Sequence, residues 1–177
     1  LSIVIPILNE IENLPDLIQH LDRVADFADI TFVDGGSDDG SVACVRDLSK
    51  TVLESRSGRA RQMNKGASVT CTDSILFLHA DTRLPENFSQ VFQAWSGNSP
   101  IWGFFPLRLD GGHWLLRIVE RAISVRSRLS GIATGDQAIC VDRSDFEAVG
   151  KYRQIALMED IVLSSELLKK SSPVIFD

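Results

Sequence analysis

The stretch SILFLHADTRLP, residues 74–85, decides the fold. Ile75–Leu78 is a short apolar run of strand type, and Pro85 stops strand and turn alike. At the carboxyl end of that strand stand His79 and Asp81, two metal-capable side chains separated by Ala80. In an open α/β sheet, ligands bind in the crevice beyond the carboxyl ends of the strands. An acid placed there can hold a hard cation, and the cation can hold a diphosphate. Taken alone, His-Ala-Asp reads better as a polar turn after a strand, and it is the rest of the chain that reverses this.

Upstream, Ser2–Ile7 (SIVIPI) reads as a buried β-branched strand. Asn13–Ala25 follows as a helix, with Pro15 in its first turn and Leu14, Leu17, Ile18, Leu21 and Val24 on one face. Ile30–Val33 is a second strand that runs into VDGGSDDGS (33–41), a strand end, a glycine-permitted turn and a helix start in sequence. Ser41–Lys50 is then a helix, Thr51–Glu54 a third strand, Gly58–Val69 a helix, and Pro85–Trp95 another. Beyond Gly97 the pattern changes. Ile101–Leu109 is aromatic-rich and broken by Pro106, as an edge or bent strand would be. His113–Leu129 is a long amphipathic helix carrying Arg117, Arg121, Arg126 and Arg128; Ala138–Val141 is strand-like, Met158–Lys170 helical, and Val174–Phe176 begins a last strand. The alternation predicts an α/β fold: a mostly parallel central sheet with helices on both faces, in one domain over residues 1–177.

The bulk numbers exclude several classes. The chain has 177 residues, is 44% hydrophobic and carries a formal charge of -6. That length suits one domain, and the acidic balance argues against a nucleic-acid binder, which needs a basic face. Cys44, Cys71 and Cys140 include no CxxC pair, which argues against a disulfide framework or zinc site and fits a reducing, cytoplasmic compartment. No apolar run approaches the length of a membrane span, and Leu1–Ile7 has no basic leader. Leu1 enters a strand without a preceding Met, so the chain reads as trimmed at its start.

Acids stand at three strand ends or loops: Asp34, Asp81 and the pair Glu159-Asp160. Asp34 can accept hydrogen bonds from a base or ribose hydroxyl, with Gly35 and Gly36 letting the backbone approach; a simple Asx turn is the alternative. Asp38 or Asp39 reads as an N-cap. Arg59, Arg61 and Lys65 can offset diphosphate charge, or can simply be a solvated helix face. Asn64 and Gly66 have no evident packing value within their helix. GRARQMNKG (58–66) is not a P-loop, since it lacks the GK[ST] ending. His20 and His113 read as surface or cap residues, and Trp102, Phe104 and Phe105 as core and pocket wall. The arginine stripe on 113–129 could touch anionic lipid, but core packing is the preferred reading of that helix.

Taken together, VIPILNE (4–10), VDGGSDDGS (33–41), GRARQMNKGA (58–67), FLHADTRLP (77–85), GDQ (135–137) and LMEDI (157–161) resemble the family-2 glycosyltransferases of the GT-A fold, in the family's order and over nearly the whole chain. GRARQMN, LHADT and ATGDQ look like the small bacterial branch associated with radical-SAM and selenoprotein genes. The resemblance implies a nucleotide-binding half through Leu84 and an acceptor half over 85–177. Pro6, Asn9, Glu10 and Ala80 would border the nucleotide, Asp34 and Gly35 would meet its base or ribose, and Arg59 and Arg61 would lie nearby. Asp81 matches the last acid of the family's Asp-X-Asp metal motif, and His79 replaces the first; the cofactor implied is Mn²⁺ or Mg²⁺. Asp160 matches the general base, with Glu159 beside it, and Asp136 and Gln137 would border the acceptor.

The activity implied is inverting transfer of a sugar from a UDP- or GDP-sugar to an acceptor hydroxyl with a divalent metal; the location expected is cytoplasmic, where the arginine stripe could make peripheral contact with the inner membrane face. The family's C-terminal Arg-Trp segment has no counterpart before Asp177. Two other readings stand beside it. A sugar nucleotidyltransferase would want a glycine-rich basic loop after the first strand, and Leu8–Leu14 (LNEIENL) has neither feature. A non-catalytic nucleotide-sugar-binding module would keep the pocket and lose turnover.

Overall fold

The computed structural model describes residues 1–47, 51–97 and 101–176. Seven strands form one sheet: β1 (Ser2–Ile7), β2 (Asp29–Asp34), β3 (Thr51–Glu54), β4 (Ser74–Phe77), β5 (Trp102–Phe104), β6 (Ile139–Asp142) and β7 (Val174–Ile175). Their order is β3-β2-β1-β4-β6-β5-β7, and β6 runs antiparallel to both its neighbours while the remaining pairs are parallel. The expected mostly parallel α/β sheet is therefore what the chain builds.

Helices are α1 (Leu14–Leu21), α2 (Ser41–Asp47), α3 (Arg59–Ala67), α4 (Phe88–Ser96), α5 (Trp114–Ser130), α6 (Arg143–Ala148) and α7 (Glu159–Leu168). Strand alternation sends β1 side chains to both faces. Ile3, Ile5 and Ile7 pack with Leu14, Leu17, Ile18 and Leu21 of α1 and with Phe88 and Trp95 of α4. Val4 packs with Ala60 and Met63 of α3 and with Leu163 and Leu167 of α7 on the other face. Both faces of the sheet are thus covered, which is what a parallel sheet requires.

Several boundaries differ from expectation. Residues 48–50, where the second helix was expected to end, lie outside the described residues, as does Asp177. The helix expected from Pro85 begins at Phe88, after a turn closed by Phe88 N donating to Pro85 O at 3.0 Å. The expected strand over 101–109 is only Trp102–Phe104, and it is internal, between β6 and β7, instead of at the edge. Gly103 permits that position, because a Cβ there would stand 2.5 Å from Val174 O of the adjacent strand. Helix α6 follows β6 directly and has no counterpart in the sequence reading; Asp142 caps it by accepting from Ser144 N at 2.8 Å.

Two readings of individual residues are overturned. Gly66 does have packing value, since a Cβ there would fall 2.3 Å from Val4 Cγ1 and 3.0 Å from Val33 Cγ2. Asn64 does too: its amide donates to Tyr152 O at 2.8 Å and accepts from Tyr152 N at 3.0 Å. The third correction concerns α5. Core packing was expected along it, yet Ser127 is its one buried residue. No helix among the described residues is long and apolar enough to cross a membrane.

Candidate functional site

From β1 the chain steps outward through β2 to β3, then returns to the opposite side of β1 to form β4. Such a reversal of strand order leaves a crevice beyond the carboxyl ends of the two strands that flank it. A cleft of about 360 Å³ lies there. Its walls are Pro6 to Leu8 and Glu10 after β1, Ser57 to Arg59 and Gln62 at the start of α3, His79 to Asp81 after β4, Asp136, and Ala156, Leu157 and Glu159 before and in α7.

The floor is braced by its own loops. Asn9, at φ 57, donates from its N–H to Ser37 Oγ at 2.9 Å and accepts at Oδ1 from Asp38 N at 3.0 Å. Glu10 N donates to Ser41 Oγ at 2.8 Å, and Ile11 N to Asp39 Oδ2 at 3.0 Å. Asp39 also accepts from Ser41 N at 2.9 Å, so it satisfies the first N–H of α2 and ties the first loop to the second, although Gly40, not Asp39, holds the N-cap position expected for it. Gln62, 3% exposed, donates from Nε2 to Ile7 O and Val33 O, both at 2.8 Å. One buried amide thereby pins the ends of β1 and β2 to α3.

Opposite the floor, the 3-10 turn Gly135–Gln137 carries Asp136 against His79. His79 Nδ1 lies 3.3 Å from Asp136 Oδ1, and this contact holds the Asp136 carboxyl below the usual range. Gly135 donates its N–H to Asp160 Oδ2 in a short contact. A Cβ on Gly135 would fall 2.2 Å from His79 Cε1 and 3.2 Å from Asp160 Oδ2, so only glycine lets this backbone lie between imidazole and carboxylate. Arg59 stands 3.8 Å from the buried Glu159 carboxylate. Tyr152 is buried close by, and burial together with the charges of Asp160 and Glu159 pushes its phenol well up.

Of the residues singled out in the sequence, Pro6, Glu10, Arg59, His79, Ala80, Asp81, Asp136 and Glu159 line the cleft together. Asp160 is not among the lining residues; its carboxylate accepts from Gly135 N of the turn that carries Asp136. Asn9, Asp34, Gly35, Arg61 and Gln137 are not in the wall. Asp34 is 5% exposed and its carboxylate accepts from Gly36 N at 2.9 Å and from Ser37 N and Oγ, an Asx-type turn. Arg61 turns to Gln154 Oε1 at 3.1 Å, and Gln137 is buried against Ser127. Sequence reasoning passed over Gln62 and misjudged Asn64, whose neighbours are 29 to 88 residues away in the chain. A polar residue on the inward face of a helix was the available signal.

The family model for glycosyl transferase family 2 matches residues 2–122, from β1 into α5, which takes in the cleft walls after β1, at the start of α3 and after β4. The chain belongs to this family. No curated protein matches it. Among solved structures, the mannosyltransferase PcManGT from Pyrobaculum calidifontis, in complex with GDP-Man and Mn2+, matches at TM-score 0.70 and 18% identity over 99% of this chain and 53% of that one. S. aureus TarS 1-349 in complex with UDP-GlcNAc matches at TM-score 0.73 and 12% identity, covering 93% and 52%. Mannosyl-3-phosphoglycerate synthase from Rubrobacter xylanophilus matches at TM-score 0.65 and 19% identity, covering 99% and 64%. At these identities the likeness shows the GT-A fold of the family-2 chain. The chain spans about half the length of the first two.

Proposed function

We propose that this family-2 chain transfers a sugar from a nucleoside-diphosphate sugar to an acceptor hydroxyl with inversion at the anomeric carbon. The carrying observation is the cleft at the β1/β4 reversal, where Arg59 and the amino end of α3 face Asp81 and His79 across one cavity. A helix amino terminus without a side-chain cap offers its free N–H groups to an anion, and Arg59 adds a planar fork for phosphate oxygens. Two of the structural neighbours are described with GDP-Man and with UDP-GlcNAc, which supports a donor of this class.

No cluster of three or more metal-ligating side chains exists among the described residues. The chain itself supplies one carboxylate, Asp81, and one imidazole, His79, in the cleft wall. That set is too small for an all-protein cage but fits a divalent cation that arrives with phosphate oxygens. Mn²⁺ suits a mixed imidazole and carboxylate set better than Mg²⁺ does. Such a cation would offset charge on the departing diphosphate.

The protein's own part is positioning and proton transfer. The acceptor oxygen bonds to the anomeric carbon as the bond to the diphosphate breaks. The hydroxyl proton passes to Asp160 Oδ1, since Oδ2 is occupied by Gly135 N–H. Asp136, and Gln137 behind it, would shape the acceptor side. The GRARQMN, LHADT and ATGDQ motifs support placing the chain in the small bacterial branch noted above. The division near residue 84 into donor and acceptor halves belongs to the same reading.

Calorimetric titration of UDP and GDP, with and without Mn²⁺, tests the donor site in wild type and Asp81→Ala. Metal-dependent binding of one nucleotide, lost in Asp81→Ala, is expected. Asp160→Asn should retain that binding while transfer falls by about 10²-fold or more, the usual scale of a lost general base. Nucleotide binding with no transfer by wild type would identify a binding module, and no binding would refute the donor site.

A further inference from the structure

Helix α5 carries an apolar face on the side away from the domain. Trp114, Ile118, Val125 and Leu129 recur at helical spacing and are 64%, 54%, 49% and 84% exposed. The opposite face turns inward: Ser127 is buried and its hydroxyl pairs with Gln137 Oε1 at 2.9 Å. Soluble surfaces rarely present large side chains in such a row, so the row implies a partner.

Charge identifies the partner's class. The helix holds four arginines and one acid in a chain of net charge -6. That acid, Glu120, is turned inward, where it accepts from Leu109 N and pairs with Arg117 at 3.0 Å. Arg121 and Arg128 are exposed alongside the apolar row, and Arg121 has no ion pair or hydrogen bond among the described residues. A second copy docked on this face would set arginines against arginines with no outward acid to meet them. An anionic interface that also accepts apolar side chains satisfies both features.

We propose that the outward face of α5 docks on an anionic lipid bilayer, with the apolar row inserted at the headgroup boundary and the arginines over lipid phosphates. The 3-10 turn that forms one wall of the cleft is bonded to the inward face of the same helix, so docking would hold that wall beside the membrane surface.

The test is co-sedimentation of the 177-residue chain with vesicles of phosphatidylcholine, alone or mixed with phosphatidylglycerol, at low and high salt. Binding is expected only to the anionic vesicles, weakening with salt, with a blue shift in fluorescence from Trp114, since Trp95 and Trp102 are already buried. One arginine near an anionic surface contributes about 1 kcal/mol, so Arg121→Ala should lower the partition coefficient about fivefold. Leu129→Ser should lower it about tenfold by losing apolar burial. Both sites are exposed, and unchanged circular dichroism would confirm folding. Failure to bind anionic vesicles at low salt, or binding indifferent to both substitutions, would overturn the proposal. So would a dimer in sedimentation equilibrium that Leu129→Ser dissociates.

Discussion

Replacing Gly66 by alanine sets two effects of opposite sign against each other. Alanine favours a helix interior by about 1 kcal/mol over glycine, so α3 taken alone would gain. The new Cβ, however, would stand 2.3 Å from Val4 Cγ1, 3.0 Å from Val33 Cγ2 and 3.2 Å from Val4 Cγ2. Carbon atoms prefer about 3.5–4.0 Å, so the closest contact overlaps by more than an ångström. Neither valine can yield easily: both are fully buried, in strands paired on both sides, and valine is stiff at χ1. Overpacking of a tight core costs about 1–3 kcal/mol, and this geometry belongs at the upper end. The net expectation is a loss of about 2 kcal/mol, and a melting temperature lower by roughly 4–8 °C for a chain of this size. Urea unfolding should show a lower midpoint with an unchanged slope. Lifting α3 also moves Gln62 off the ends of β1 and β2, so nucleotide affinity should fall with stability. Adding Val4→Ala to Gly66→Ala should recover part of the loss. An unchanged or raised midpoint in Gly66→Ala would refute close packing of α3 on the sheet.

Two further outcomes follow from the same geometry. Asn64→Ala removes both hydrogen bonds to the Tyr152 backbone and should cost about 2 kcal/mol in urea unfolding; stability within error of wild type would contradict that brace. Asp136 titrates below the usual carboxylate range chiefly because His79 hydrogen-bonds to it. A depressed folded pKa contributes stability that is complete above the unfolded value near 4 and is lost as pH falls through the folded value. In His79→Ala the Asp136 carboxyl should titrate higher, and the acid limb of the stability profile should flatten. Carbon NMR of labelled aspartate reads this directly, and identical Asp136 titrations would refute the pairing.

Much of the architecture was legible because short β-branched runs alternating with amphipathic segments leave few arrangements. Leu14, Leu17, Ile18, Leu21 and Val24 were assigned to one helical face, and all five are buried. The cleft was legible in part: polar residues after β1 and β4, and Arg59 at the start of α3, converge because strand ends must meet at the reversal. What escaped was set by contacts distant in sequence. Gly66 looked idle because only the fold brings Val4 and Val33 to its Cα. The internal position of β5 was hidden because Pro106 and the shortness of its apolar run resemble an edge. Helix α5 misled for another reason: an amphipathic pattern in sequence fits core packing, yet none of its apolar side chains is buried and the face that meets the domain does so through Ser127.

The placement of β6 has a kinetic consequence. The strands β1 to β4 can pair among themselves once residue 77 has been made, since each has a neighbour within that segment. Strand β5 cannot join them, because its partners are β6 and β7, which appear only from residues 139 and 174. A growing chain therefore carries Trp102 and Phe104 unpaired through the synthesis of α5. Pulsed hydrogen exchange during refolding should find amides of β1 and β2 protected before Gly103 and Cys140. β6 alone joins the two parts of the sheet, because it pairs with β4 on one side and with β5 on the other.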